Sequence, residues 1–175
     1  MHELLKMLSG GDRRCIGRAN AVAALVLDQP ALLAVLFDGL ATADPVLRMR
    51  CADAAEKVTA TRPDYLVPFK RTLIEELSRV EQQEVRWHVA PMLARLPLSG
   101  PEEARVLAIL LGYTNDRGSI VKTAAMQALA DLAVRNPGLR AEVLAHIREL
   151  AVSGTPAMQA RGRKLMARLG SVNTV

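Results

Sequence analysis

Asp44-Pro45-Val46-Leu47-Arg48-Met49-Arg50-Cys51-Ala52-Asp53-Ala54-Ala55-Glu56-Lys57-Val58 is the most telling stretch of this chain, because its pattern returns. Val46-Leu47-Arg48 runs into Cys51, Ala54-Ala55 and Val58. Glu84-Val85-Arg86 runs into Val89, Met92-Leu93 and Leu96 at the same spacings. Ile120-Val121-Lys122 continues through Ala125, Ala128-Leu129 and Leu132, and Ala157-Met158-Gln159 through Gly162, Leu165-Met166 and Leu169. A degenerate first copy runs from Gly17-Arg18 through Ala21 to Ala24-Leu25. The equivalent positions Arg18, Arg48, Arg86, Lys122 and Gln159 stand 30, 38, 36 and 37 residues apart. Repeats of this length point to stacked helix pairs, because one pair cannot bury its own apolar face and needs neighbours.

Composition agrees with helices. Half of the 175 residues are apolar but only 3% are aromatic, so Ala and Leu carry the hydrophobic content. That balance suits closely packed helices and not sheets, where β-branched and aromatic residues are enriched. The greasiest window, Ala21 to Phe37, is broken by Asp28, Gln29 and Pro30, so no membrane span is expected. Met1-His2-Glu3-Leu4 lacks the basic and apolar regions of a secretory signal. Cys15 and Cys51 read as small core residues, and two thiols without a signal point to a reducing, cytoplasmic setting without disulfides.

The first helix of each pair is legible between the copies. Pro30 to Thr42 places Leu32, Leu33, Leu36, Phe37 and Leu40 on one stripe. Leu66 to Val80 does so with Leu66, Phe69, Leu73, Ile74, Leu77 and Val80. Pro101 to Tyr113 aligns Ala104, Leu107, Leu110 and Leu111, and Leu139 to Val152 aligns Val143, Leu144, Ile147 and Leu150. Asp44-Pro45 reads as an N-cap with proline in the first turn, where its missing N–H costs nothing. Arg62-Pro63-Asp64, Pro97-Leu98-Ser99-Gly100-Pro101, Asn115-Asp116-Arg117-Gly118, Asn136-Pro137-Gly138 and Gly154-Thr155-Pro156 mark other breaks. The breaks divide one repeat domain, 1–175, into units at about 1–28, 29–60, 64–97, 101–134 and 138–170. Met1 to Ser9 forms a leading helix and Ser171 to Val175 a frayed tail.

These second helices resemble those of the HEAT-repeat family. The resemblance rests on Asp44-Pro45, on the apolar-basic steps Leu47-Arg48, Val85-Arg86 and Val121-Lys122, and on the small-apolar pairs after them; it spans residues 12 to 169. Gln159 departs from the basic position, and the second repeat is short. The resemblance implies an all-α, right-handed superhelix of about five helix pairs. It further implies a scaffold for protein or nucleic acid, with second helices lining a concave surface.

Two sets of polar residues stand out on the second helices. The basic ladder Arg18, Arg48, Arg86 and Lys122 reads as structural: such donors can satisfy helix-end carbonyls, and Asp44 and Asp116 are candidate partners. Two, five and nine residues after each ladder position lies a second set on one helix face. It comprises Arg50, Asp53 and Lys57; His88, Pro91 and Arg95; Ala124, Gln127 and Asp131; and Arg161, Lys164 and Arg168. Six Lys/Arg against two Asp make this a candidate binding face, with Arg50, Lys57, His88, Arg95, Arg161, Lys164 and Arg168 as its candidate contacts. The competing reading is an ordinary solvated face. Trp87 reads as a packing residue at a repeat junction or as a single stacking platform, and Pro91 should kink its helix.

Chemistry-bearing motifs are scarce. His2, His88 and His146 lie in different helices, no CxxC occurs, and Gly10-Gly11-Asp12 is not followed by a phosphate loop. Glu75-Glu76 and Glu102-Glu103 point to different helix faces. No Trp-Asp pair of the HEAT-like DNA glycosylases is present. The expectation is a non-enzymatic scaffold without cofactor or metal, binding another protein, with a nucleic-acid partner on the basic face as the alternative.

Overall fold

The structure is a computed structural model, and it describes residues 1–12 and 14–171. Among the described residues the chain is all-helical, with ten α-helices and no strand. It divides into two compact units, Met1–Pro97 and Leu98–Val175. The division falls inside the Pro97-Leu98-Ser99-Gly100-Pro101 break.

The first unit contains α1 (Glu3–Leu8), α2 (Ala19–Asp28), α3 (Leu33–Leu40), α4 (Pro45–Thr61), α5 (Lys70–Glu75) and α6 (Gln83–Arg95). Helix α4 is its hub and packs against α1, α2, α3 and α6. Its start is fixed by Asp44, whose carboxylate accepts from Val46 N at 2.9 Å and Leu47 N at 3.4 Å, with Pro45 in the first turn. The segment read as one helix from Leu66 to Val80 is broken. A 3-10 stretch, Pro63–Phe69, precedes α5, and a 3-10 turn, Leu77–Arg79, follows it. Pro68 lies inside the first of these, where a missing N–H and a ring clash oppose a regular α-helix. The apolar stripe survives the break: Leu66, Leu73, Ile74 and Leu77 are buried, and the Phe69 ring stacks on Phe37 at 3.9 Å. Helix α6 runs through Pro91 without interruption.

The second unit contains α7 (Gly100–Tyr113), α8 (Ser119–Arg135), α9 (Arg140–Ser153) and α10 (Pro156–Ser171). Helix α8 packs against α7, α9 and α10, and α9 packs against α10. Ser99 and Glu102 close a capping box at the start of α7, with Ser99 N donating to Glu102 Oε2 at 2.8 Å. The tail expected after Ser171 lies outside the described residues.

The repeat positions form the core in four copies. Leu47, Cys51, Ala54, Ala55 and Val58 are buried, as are Val85, Val89, Met92, Leu93 and Leu96. Val121, Ala125, Ala128, Leu129 and Leu132 follow, then Met158, Gly162, Leu165 and Leu169, with Met166 half-buried. The position four residues after the first buried apolar is a close approach between paired helices. A Cβ on Gly39 of α3 would come within 2.4 Å of the Cys51 Sγ of α4, and one on Gly162 of α10 within 2.5 Å of the Ala151 Cβ of α9. One partner of each contact has no side chain, and the backbones close up accordingly.

The first copy is misaligned by the sequence pattern. Ala21, Ala24 and Leu25 are exposed, whereas Ala19, Val22, Ala23 and Val26 are buried. Superposing Ala19-Ala23-Val26 on Leu47-Cys51-Ala54 puts Asn20, not Arg18, at the ladder position. Arg18 is an exposed residue at the N-cap of α2, outside the ladder.

Candidate functional site

The ladder residues reach backbone carbonyls at the repeat turns. Arg48 Nη1 donates to the Thr42 carbonyl at 3.2 Å and Arg86 Nε to the Val80 carbonyl at 2.8 Å, each six residues back. Gln159 Nε2 reaches the Gly154 carbonyl at 3.1 Å, so the amide replaces the guanidinium in kind. Arg48 Nε also donates to Gln82 Oε1 at 2.7 Å, and Gln82 Nε2 returns to the Pro45 carbonyl at 2.8 Å, tying successive second helices together. Asp44 Oδ1 accepts from Val46 N at its own helix start, and Asp116 Oδ1 accepts from Gly118 N at 2.8 Å. Lys122 is half-buried on α8.

Arg50 is not a surface contact. Its side chain is buried, and the guanidinium is clasped by four carbonyls of the α1–α2 connection. Nη1 donates to Leu8 O at 2.8 Å and to Gly10 O, Nη2 to Asp12 O at 3.1 Å, and Nε to Cys15 O at 3.0 Å. Gly17, at φ 56, lies against the same group: a Cβ there would stand 3.0 Å from Arg50 Cζ. A planar fork of donors is suited to gathering carbonyls that face inward from an irregular segment. Arg50 therefore holds the loop and is unavailable to a partner. Cys15, expected in a helix core, is exposed on this loop, whereas Cys51 is buried and its thiol is pushed up to about 12 by burial and by the nearby Asp44 charge.

The other contacts of the first unit share one flank of α4 and α6, as their spacing required, but their charges are largely paired. Lys57 Nζ donates to Asp53 Oδ2 at 2.6 Å and to Asn20 Oδ1 at 2.6 Å. Arg95 Nη2 meets Glu56 Oε1 at 2.6 Å, and Nη1 donates to the Glu56 carbonyl at 3.1 Å. His88 Nε2 stands 3.7 Å from Asp53 Oδ1. Burial pulls the His88 pKa below its ordinary value, against the opposing pull of Asp53 and Glu56; Lys57 adds to the lowering.

Beside these pairs lies a cleft of about 270 Å³, lined by Arg14, Cys15, Ile16, Met49, Arg50, Asp53, Glu84, Trp87 and His88. The Arg50-held loop is one wall and the α4–α6 flank the other. Ile16 is exposed, and Trp87 is half-buried with its ring edge-on to His88 at 5.8 Å. The cleft was only partly legible. The repeat pattern marks Arg50, Asp53, Trp87 and His88, whereas nothing in it marks Ile16, Met49 or Glu84 as site residues. The glycines at 10, 11 and 17 were the available signal that an irregular loop covers this flank.

In the second unit the same register is assembled differently. Arg161 Nη1 donates to Gln127 Oε1 at 3.0 Å, Gln127 Nε2 to Asp131 Oδ1 at 3.0 Å, and Arg168 Nη1 pairs with that same Asp131 oxygen. Lys164 stands between the arginines, exposed and without a hydrogen bond to a described residue. Arg161 and Arg168 are exposed as well.

Among the described residues, no group of three or more His, Cys, Asp or Glu is placed to hold a metal ion, and no helix is long and apolar enough to cross a membrane. No protein-family model, no curated protein and no solved structure matches the chain.

Proposed function

We propose that this chain is a non-enzymatic binding module that takes an apolar side chain of another protein into the Ile16–Met49–Trp87 cleft. In such a module the ten helices would form a HEAT-like right-handed superhelix of about five helix pairs whose second helices face the partner. The observation that carries the proposal is the cleft itself. Trp87, Ile16 and Met49 line it beside Asp53, Glu84 and His88. Its volume of about 270 Å³ is near the lower end for small-molecule sites and suits a single anchoring side chain. Partner segments with an apolar anchor flanked by hydrogen-bond donors fit this lining best. On this flank Lys57 and Arg95 are matched by Asp53 and Glu56 and Arg50 is enclosed by carbonyls, so little net positive charge is left there to attract phosphate.

Trp87 is the only tryptophan, so its fluorescence reports occupancy directly. Selection of a random peptide library on the full chain should enrich a motif with one apolar anchor, and the selected peptide should shift Trp87 emission. Ile16→Asp, at an exposed wall of the cleft, should weaken that peptide by tenfold or more, about 1.4 kcal/mol. Enrichment of no motif, or a motif indifferent to both Ile16→Asp and Trp87→Ala, would defeat the reading.

A further inference from the structure

The positive charge of this protein is concentrated in one helix. The first unit carries thirteen Lys/Arg against twelve Asp/Glu, the second ten against six. Helix α10 alone holds Arg161, Arg163, Lys164 and Arg168 with no acidic residue. Helix α10 buries Met158, Gly162, Leu165 and Leu169. Arg161, Lys164 and Arg168 therefore share the flank that turns toward α8, while Arg163 sits on the far flank.

From this geometry we infer that the α8–α10 flank binds the phosphate backbone of a nucleic acid, without reading its sequence. Two features support this inference over an acidic protein. The flank offers little for an interface core: α8 exposes one large apolar residue, Ile120, two turns before Gln127 on the same face, and among the described residues α10 exposes none to join it. Protein interfaces generally need such a core, whereas backbone binding to nucleic acid draws mainly on charge. The arginines are also held in place. Gln127 takes one N–H of Arg161, and Asp131, shared between Gln127 and Arg168, fixes the second guanidinium. A guanidinium tied by one edge keeps its remaining donors for a phosphate oxygen pair, and its orientation costs little on binding.

The axial rise from Arg161 to Arg168 is about 10 Å, enough to follow two or three successive phosphates. No aromatic platform accompanies the stripe, because the one aromatic residue of this unit, Tyr113, is buried. Base stacking therefore has no support, and duplex should bind at least as well as a single strand. This site is independent of the cleft in the first unit, so either can fail alone.

The test is fluorescence anisotropy of the full chain with a labelled duplex and with one of its strands, from 20 to 200 mM salt. Duplex binding should weaken with a log–log salt slope near −3, about 0.9 for each of three phosphate contacts. Lys164→Glu should remove most of the binding at low salt, and Arg161→Gln should reduce the slope by about one. Arg163→Glu changes the charge equally on the far flank and should change affinity less than threefold. Circular dichroism of each variant guards against loss of fold, and Lys164, exposed and without described partners, is the change least able to disturb it. The inference is overturned by absence of duplex binding at 20 mM salt or by equal losses for Lys164→Glu and Arg163→Glu. Tighter binding of poly-glutamate, or of vesicles with anionic lipid, than of duplex would overturn it equally.

Discussion

Arg50 shows how a charged side chain can serve the fold. Four carbonyls between Leu8 and Cys15 converge on one guanidinium, and the cleft wall depends on that convergence. Arg50→Ala would leave buried acceptors without a donor and should cost about 3 kcal/mol in urea unfolding. The released loop should also be cut faster by protease between residues 8 and 17. Arg50→Lys should recover little, since a point charge cannot replace a fork. Retention of stability within half a kilocalorie for Arg50→Ala would refute this role. The two cysteines supply a second check. At pH 8 a thiol reagent should label Cys15 rapidly and Cys51 only on unfolding, because the Cys51 thiol is buried and pushed up to about 12. His88 supplies a third. Its folded pKa lies below its unfolded one, so the unfolded chain binds the proton more readily. Stability associated with neutral His88 is complete above the unfolded pKa of about 6.5. It declines as pH falls from there toward the folded value. Asp53, Glu56 and Lys57 set the size of that decline, and His88→Gln should flatten the stability profile in this window.

Among the elements, the second helices were legible and the connections were not. Burial on a helix that packs along its whole length imposes a fixed apolar spacing, so Val121, Ala125, Ala128, Leu129 and Leu132 could be read directly. Helix α2 defeated that logic because it is apolar nearly all round. With Ala21, Ala24 and Leu25 as apolar as Ala19, Val22, Ala23 and Val26, two registers fit the same sequence. Pro68 was visible, but the stripe through Leu66 and Leu73 persists whether the backbone is 3-10 or α. Arg50 was misread because its partners lie 35 to 42 residues earlier, in a loop with no periodic signal. The close approach of α9 and α10 permits a direct test of the element packing. Gly162→Val places a branched side chain where a Cβ alone meets Ala151 at 2.5 Å. It should destabilise by about 1–3 kcal/mol. Leu129→Ala, by contrast, removes packing from a fully buried site and should cost about 2–5 kcal/mol. Equal melting temperatures for wild type and either variant would show that the helix faces are assigned wrongly.

For the molecule as a whole, the division at Pro97 carries its own consequence. The first unit contains a hub helix, α4, surrounded by α1, α2, α3 and α6, and its Arg50 and Arg95 contacts are closed within it. Its charge is nearly balanced, so little self-repulsion opposes compaction. A 97-residue chain lies within the size at which a single core can be self-sufficient. The fragment Met1–Pro97 should therefore fold alone, with a helical circular dichroism spectrum and a cooperative urea transition. The sharper readout is local. In the fragment, Cys51 should stay protected from a thiol reagent while Cys15 reacts, as in the full chain, because Gly39 of α3 packs closely on the Cys51 Sγ and both belong to this unit. Arg50→Ala should weaken that protection in fragment and full chain alike, since the loop it holds lies in the same unit. Simultaneous labelling of both thiols in a fragment that remains helical would mean that the α3–α4 contact depends on residues beyond Pro97, and the first unit would not be a folding unit.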